Sequence, residues 1–168
     1  MRIYKITTRH SQLVDVSTPH TQSDISGVGY QSVLLLPFFY DSIIQGTWSM
    51  FSSASHYGNE YTHMKNTSNT DGDGIKYKVY LAKGTYTLQI YGLKGADGGI
   101  ADIYIDNDKV ATFDFYNDSS IGNQTFTQTG ISVTSDSLKD LKIIVNGKNA
   151  SSSGYYIYFS HITIFRTA

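Results

Sequence analysis

Residues 75–95, IKYKVYLAKGTYTLQIYGLKG, decide the fold. Tyr77, Val79 and Leu81 alternate with Lys76, Lys78 and Tyr80. Beyond the Lys83-Gly84 turn, Tyr86, Leu88 and Ile90 alternate with Thr85, Thr87 and Gln89. A period of two on both sides of a turn predicts strand, turn, strand, a first hairpin with one buried face on each arm. Downstream, Ala101, Ile103 and Ile105 alternate with Asp102, Tyr104 and Asp106, and Asn107-Asp108 reads as the hairpin turn before a strand from Val110 to Phe115. Leu138 to Val145 reads as a further strand ending at Asn146-Gly147, and Tyr155 to Phe165 closes the chain. Alternation changes phase around Tyr158 and His161, the signature of a bulge. Upstream, Tyr30 to Phe39 and Thr47 to Ser53 are the remaining expected strands.

Turn signals about every ten residues, with no long self-similar period, predict an all-β, antiparallel β-sandwich or jelly roll. Composition agrees. Of 168 residues only 16% are charged, a single Glu (Glu60) occurs, and 14 Tyr, 8 Phe and 15 Gly favour pleated surfaces and turns over helices. Residues 27–168 therefore read as one domain, and residues 1–26, polar and without sustained alternation, as an extended N-terminal arm holding a short strand near Ile3 to Thr8. A chain of this length can bury about 70% of its unfolded surface without cross-links. The absence of cysteine removes thiolate, disulfide and Cys-zinc chemistry.

A net charge of −1 argues against the broad basic face that nucleic acid requires. The longest apolar run, Val33 to Tyr40, is interrupted by Pro37 and is far shorter than the roughly twenty residues of a membrane span. No signal peptide is expected in Met1 to His10, which lacks an apolar stretch.

Three constellations could carry chemistry. Asn69-Thr70-Asp71-Gly72-Asp73-Gly74 reproduces the opening of a calcium loop, with oxygen ligands at Asn69, Asp71 and Asp73. The position that should supply a bidentate Glu is Tyr80, so a solvated turn stands beside structural calcium as the reading. His56, Glu60 and His63 would share a face only on a helix, and Gly58-Asn59 breaks that segment, which reads as a loop. Thirteen Asp make some carboxylate pair inevitable, and Asp102, Asp106 and Asp108 read as turn caps; a glycan-cleaving enzyme is therefore the third reading, behind two non-enzymatic ones. The aromatic and amide side chains at loop positions, Trp48, Tyr57, Tyr61, Tyr116, Asn117, Asn149, Tyr155 and Tyr156, suit sugar stacking, a protein interface or simple packing within the sandwich.

The order of GTYTL, DIYIDN, LKIIVNGKN and GYYIY segments across residues 75–168 resembles jelly-roll modules related to carbohydrate-binding module families 6 and 35. The phrase VNGKNASSSGYY also resembles segments of tailed-phage virion proteins, in fibres and capsid-associated components. The first resemblance implies sugar binding at loops at one end, with aromatics and an Asn, or on the concave sheet face; by position Asn149, Tyr155 and Tyr156 fall near those loops. The usual stacking Trp of that region is missing, since Trp48 lies elsewhere. The leading expectation is a non-enzymatic virion component, a capsid decoration or fibre protein that attaches to other virion proteins through the arm, assembles in symmetric copies or a homo-oligomer, and resides in the virion. The alternative is a carbohydrate-binding module using Trp48, Tyr57, Tyr61, Asn149, Tyr155 and Tyr156.

Overall fold

A computed structural model describes residues 4–6, 13–15, 31–52 and 61–168. Its strands are β1 (Tyr4–Ile6), β2 (Leu13–Asp15), β3 (Ser32–Leu35), β4 (Ser42–Gln45), β5 (Trp48–Ser52), β6 (Tyr61–Asn66), β7 (Gly74–Leu81), β8 (Gly84–Lys94), β9 (Gly99–Ile105), β10 (Asp108–Asp114), β11 (Ile121–Val133), β12 (Ser137–Lys148) and β13 (Tyr158–Arg166). β1 and β2 pair with each other. They are all that is described of the span expected to form an arm.

The remaining strands form two antiparallel sheets, one in the order β10-β9-β12-β7-β4, the other β11-β8-β13-β6-β5, with β3 also on β13. Alternation decides which side chains face the gap between them. β7 turns Ile75, Tyr77, Val79 and Leu81 inward, β12 turns Leu141, Ile143 and Val145, and β8 turns Tyr86, Leu88 and Ile90; all are buried. Rings cross the interface: Tyr77 meets Phe159 at 6.3 Å and 75°, and Phe115 stacks on Phe126 at 4.2 Å. Each such pair adds about 1 kcal/mol beyond the area it buries. The fold is the expected all-β sandwich.

Within that frame four local expectations are corrected. The arms of residues 75–95 are not partners: β7 pairs with β12 and β4, β8 with β11 and β13, so Ala82-Lys83 crosses between layers. The Gln31 side chain secures the crossing, accepting from Ala82 N at 3.0 Å and Tyr86 Oη at 2.7 Å and donating to Tyr80 O at 2.7 Å. The β9–β10 turn consists of Asp106-Asn107, with Asp106 at φ 55°, and Asp108 already pairs with Ile105. Asn146-Gly147 does not end β12; Gly147, at φ 84°, sits in a bulge and pairing with β9 resumes at Lys148. The segment of His63, expected as a loop, is strand β6, where His63 is buried with its ring 5.5 Å from Phe51. His56 and Glu60 lie outside the described residues.

The phase change in β13 is the expected bulge. Register against β8 shifts between Phe159 and His161, so Phe159 and Ile162 both point inward. Ser160 Oγ donates to Tyr91 O at 3.2 Å.

Candidate functional site

Four connections converge at one end of the sandwich: residues 67–73, 95–98, 115–120 and 149–157. Backbone bonds tie them together, Gly95 N to Phe115 O at 3.0 Å, Asn117 N to Gly95 O at 3.1 Å and Ser153 N to Ala96 O at 2.9 Å. The approach at Gly98 is so close that a Cβ there would lie 2.0 Å from Phe115 O, which is why a glycine stands at that position.

One half of this end is a clasp. Asn66, wholly buried, donates to Asp73 Oδ2 at 2.9 Å and Tyr155 O at 3.0 Å and accepts from Ile157 N at 2.7 Å. Asn69 Oδ1 accepts from Tyr155 N at 2.6 Å, Asp71 Oδ1 from Gly147 N at 2.7 Å, and Asp73 Oδ2 also from Thr70 N at 2.9 Å. Asp73 Oδ1 packs against Gly46, where a Cβ would come within 2.0 Å. Asn69, Asp71 and Asp73 thus reach toward three different segments. They do not fit a calcium loop, whose oxygens must converge on one point. Among the described residues no group of three or more His, Cys, Asp or Glu could hold a metal ion.

Asp102 is another aspartate whose place differs from expectation. It caps no turn but sits buried in mid-strand, with Thr112, Asn146 at 2.7 Å and Lys109 at 3.3 Å donating to it. Burial works against its charge, but those hydrogen bonds prevail and hold the carboxyl below its ordinary range.

The expected aromatic site is divided. Trp48 is buried, edge-on to Phe159 at 6.3 Å, with Nε1 on Gln45 O at 3.3 Å; no ring face remains open for a sugar. Tyr61 takes its place in β6 opposite Ser52, and Tyr57 lies outside the described residues. Asn149 donates to Asp114 Oδ2 at 3.1 Å and accepts from Ser151 N at 3.1 Å. Lys148 Nζ stands 4.9 Å over the Tyr155 ring, whereas Lys65 Nζ stands 3.5 Å over the ring of Tyr156 and 5.1 Å over that of Tyr158. The neighbours Tyr155 and Tyr156 therefore serve different cationic contacts.

Beside Tyr158 the loops leave a cleft of about 420 Å³ lined by Phe51, Leu93, Gly95, Ala96, Asp97, Asp118, Ser119, Ser120, Ser153 and Tyr158. The Phe51 and Tyr158 rings are 5.4 Å apart. Tyr158 Oη donates to Asp97 Oδ2 at 2.9 Å; burial first, then the Asp97 hydrogen bond, push the phenol up, so it remains a donor. Tyr116 Oη donates to Asp118, whose hydrogen bond raises that phenol in turn. Burial lowers the Lys65 ammonium from its ordinary value, with the Asp97 charge opposing. Sequence reasoning missed Lys65, Asp97, Asp118 and Tyr158. ADGG at 96–99 and NDSS at 117–120 look like ordinary turns, and only the phase change in the closing strand bore on Tyr158.

No family model and no curated protein matches the chain. Among solved structures it is similar to a Paenibacillus xanthan lyase, at TM-score 0.66 and 21% identity over 80% of this chain and 13% of that one. It is also similar to the CBM36-1 domain of a multidomain xylanase from the hindgut metagenome of Trinervitermes trinervoides, at TM-score 0.61 and 12% identity over 80% of this chain and 96% of the domain. A third is a carbohydrate-binding module of Cellvibrio mixtus lichenase 5A in complex with cellotriose, at TM-score 0.53 and 13% identity over 81% and 98%. Identities this low establish the fold: a jelly roll of the kind found in carbohydrate-binding modules. The likeness shows the fold alone and adds nothing to the virion reading, to attachment through the arm or to symmetric copies.

Proposed function

We propose that this chain is a carbohydrate-binding module that takes a glycan into the loop-end cleft without cleaving it. The observation that carries the reading is the cleft itself, where half-buried Phe51 supplies an aromatic wall and buried Tyr158 holds Asp97 in place, beside the carboxylates of Asp97 and Asp118 and the hydroxyls of Ser119, Ser120 and Ser153. Ring faces pair with the apolar face of a pyranose, while carboxylates and hydroxyls take its hydroxyl protons. The modules that this chain matches over nearly their whole length lend support, since one is in complex with cellotriose and another with calcium and xylotriose. Asn149 and Tyr155, which the family resemblance favoured, contribute by holding the loops that frame the cleft.

The test is calorimetry or affinity electrophoresis against a panel of soluble oligosaccharides and polysaccharides. Saturable binding is expected, weakened about ten-fold or more in the Asp118→Ala/Ser119→Ala double variant, whose two positions are exposed, with an unchanged denaturation midpoint. Binding that this variant retains in full would overturn the assignment of the cleft.

A further inference from the structure

The donors and acceptors around the cleft are not balanced. None of the described side chains that line it carries a nitrogen: they are carboxylates, hydroxyls, rings and aliphatic groups. Several of the donors that line it are taken within the protein. Tyr158 Oη donates to Asp97, Ser153 Oγ to Ala96 O at 3.2 Å, Gly95 N to Phe115 O and Ser153 N to Ala96 O. Ser119 Oγ accepts from Asn117 Nδ2 at 3.3 Å. What faces a ligand is therefore rich in acceptors and negative. Lys65 is held on the Tyr156 ring at 3.5 Å and 5.1 Å from the centre of the Tyr158 ring, whose hydroxyl carries Asp97, and Lys94 lies 5.5 Å over the Phe126 ring.

From this geometry we infer that the cleft selects a glycan bearing free amines, an unacetylated 2-amino-2-deoxy sugar, over neutral and over acidic glycans. The inference rests on the cleft being the glycan site. An ammonium substituent gives Asp97 and Asp118 three N–H donors and a full positive charge, and it sits well against an aromatic wall. Acetylating the amine leaves one neutral N–H and removes that gain. A carboxylate or sulfate on the sugar would meet two like charges, an arrangement that rejects it.

The experiment uses the full chain and short oligomers of glucosamine, of N-acetylglucosamine and of a uronic acid, compared by calorimetry at mildly acidic pH, where the sugar amines are protonated. Glucosamine oligomers are expected to bind about ten-fold more tightly than the acetylated ones, and uronic acid oligomers not at all. The preference should shrink in Asp118→Asn and weaken as salt rises, and it should survive Asp108→Asn, a charge change at the β9–β10 turn at the opposite end of the sandwich. Equal affinity for the amine and its acetylated form, or a preference unmoved by Asp118→Asn, overturns the inference while leaving glycan binding intact. Silence of all three oligomers together with the wider panel overturns the reading beneath it as well.

Discussion

The clasp and the cleft lie side by side at one end of the sandwich, built from the same residue types, yet their polar atoms face opposite ways. In the clasp, Asn66, Asn69 and Asp71 direct their side chains to Ile157, Tyr155 and Gly147, so segments distant in sequence are fixed to one another, while Asp73 closes its own loop through Thr70. In the cleft, Asp97 and Asp118 receive one tyrosine proton each and keep further acceptor capacity toward the opening. The difference teaches that a carboxylate-rich motif identifies a ligand site only where its unbonded oxygens face open space; Asp73 Oδ1 has no hydrogen-bond partner but is buried against Gly46. The N-x-D-x-D pattern at 69–73 is the stronger motif and the weaker site.

Breaking the clasp should produce the largest effect. Asn66→Ala leaves Asp73, Tyr155 O and Ile157 N without their partner in a buried place and should cost about 3 kcal/mol in chemical denaturation. A loss under about 1 kcal/mol would mean that the loops hold without it. Asp102 extends the contrast to a buried carboxylate outside the loop end. Its folded value lies below 3.8, so its stabilisation is fully present above that pH and disappears as pH falls through the folded value. Asp102→Asn should accordingly flatten the acid limb of the stability profile; an unchanged limb would show that the three donors do little for the charge.

Asp71→Ala removes one exposed bond to Gly147 N and should lower Tm by about 2–4 °C, with the same Tm in calcium and in chelator. A midpoint that falls on chelation in the native chain would restore Asn69, Asp71 and Asp73 as metal ligands. The smallest effect on stability belongs to the cleft. Asp118→Asn, at an exposed position, should leave the denaturation curve in place while changing glycan binding; a large destabilisation would move Asp118 into the structural class.

Much of the fold was legible because alternation reports directly on burial. Ile75, Tyr77, Val79 and Leu81 are as buried as their spacing requires, and the phase change before His161 is a real bulge. Partner choice was not legible: residues 75–95 read equally well as a hairpin, and their assignment to opposite sheets depends on β12 and β13, more than forty residues away. Trp48 illustrates the same limit for the site. The sequence offers it among the aromatics suited to sugar stacking, but β5 closes the edge of the six-stranded sheet and turns the indole onto Phe159. Asp97 and Asp118, each beside small residues, carried no signal that separates a turn cap from a ligand group.

The amino-acid sequence by itself determined the all-β class, the inward faces of the long strands and the absence of cysteine chemistry, because these follow from side-chain identity and a period of two. Tertiary structure alone decided which strands pair, which tyrosine carries which lysine, and which carboxylates remain open. Those are outcomes of hydrogen-bond satisfaction between segments tens of residues apart, as when Asn66 reaches Tyr155 and Ile157, and local pattern holds no information about a partner that only folding brings within 3 Å.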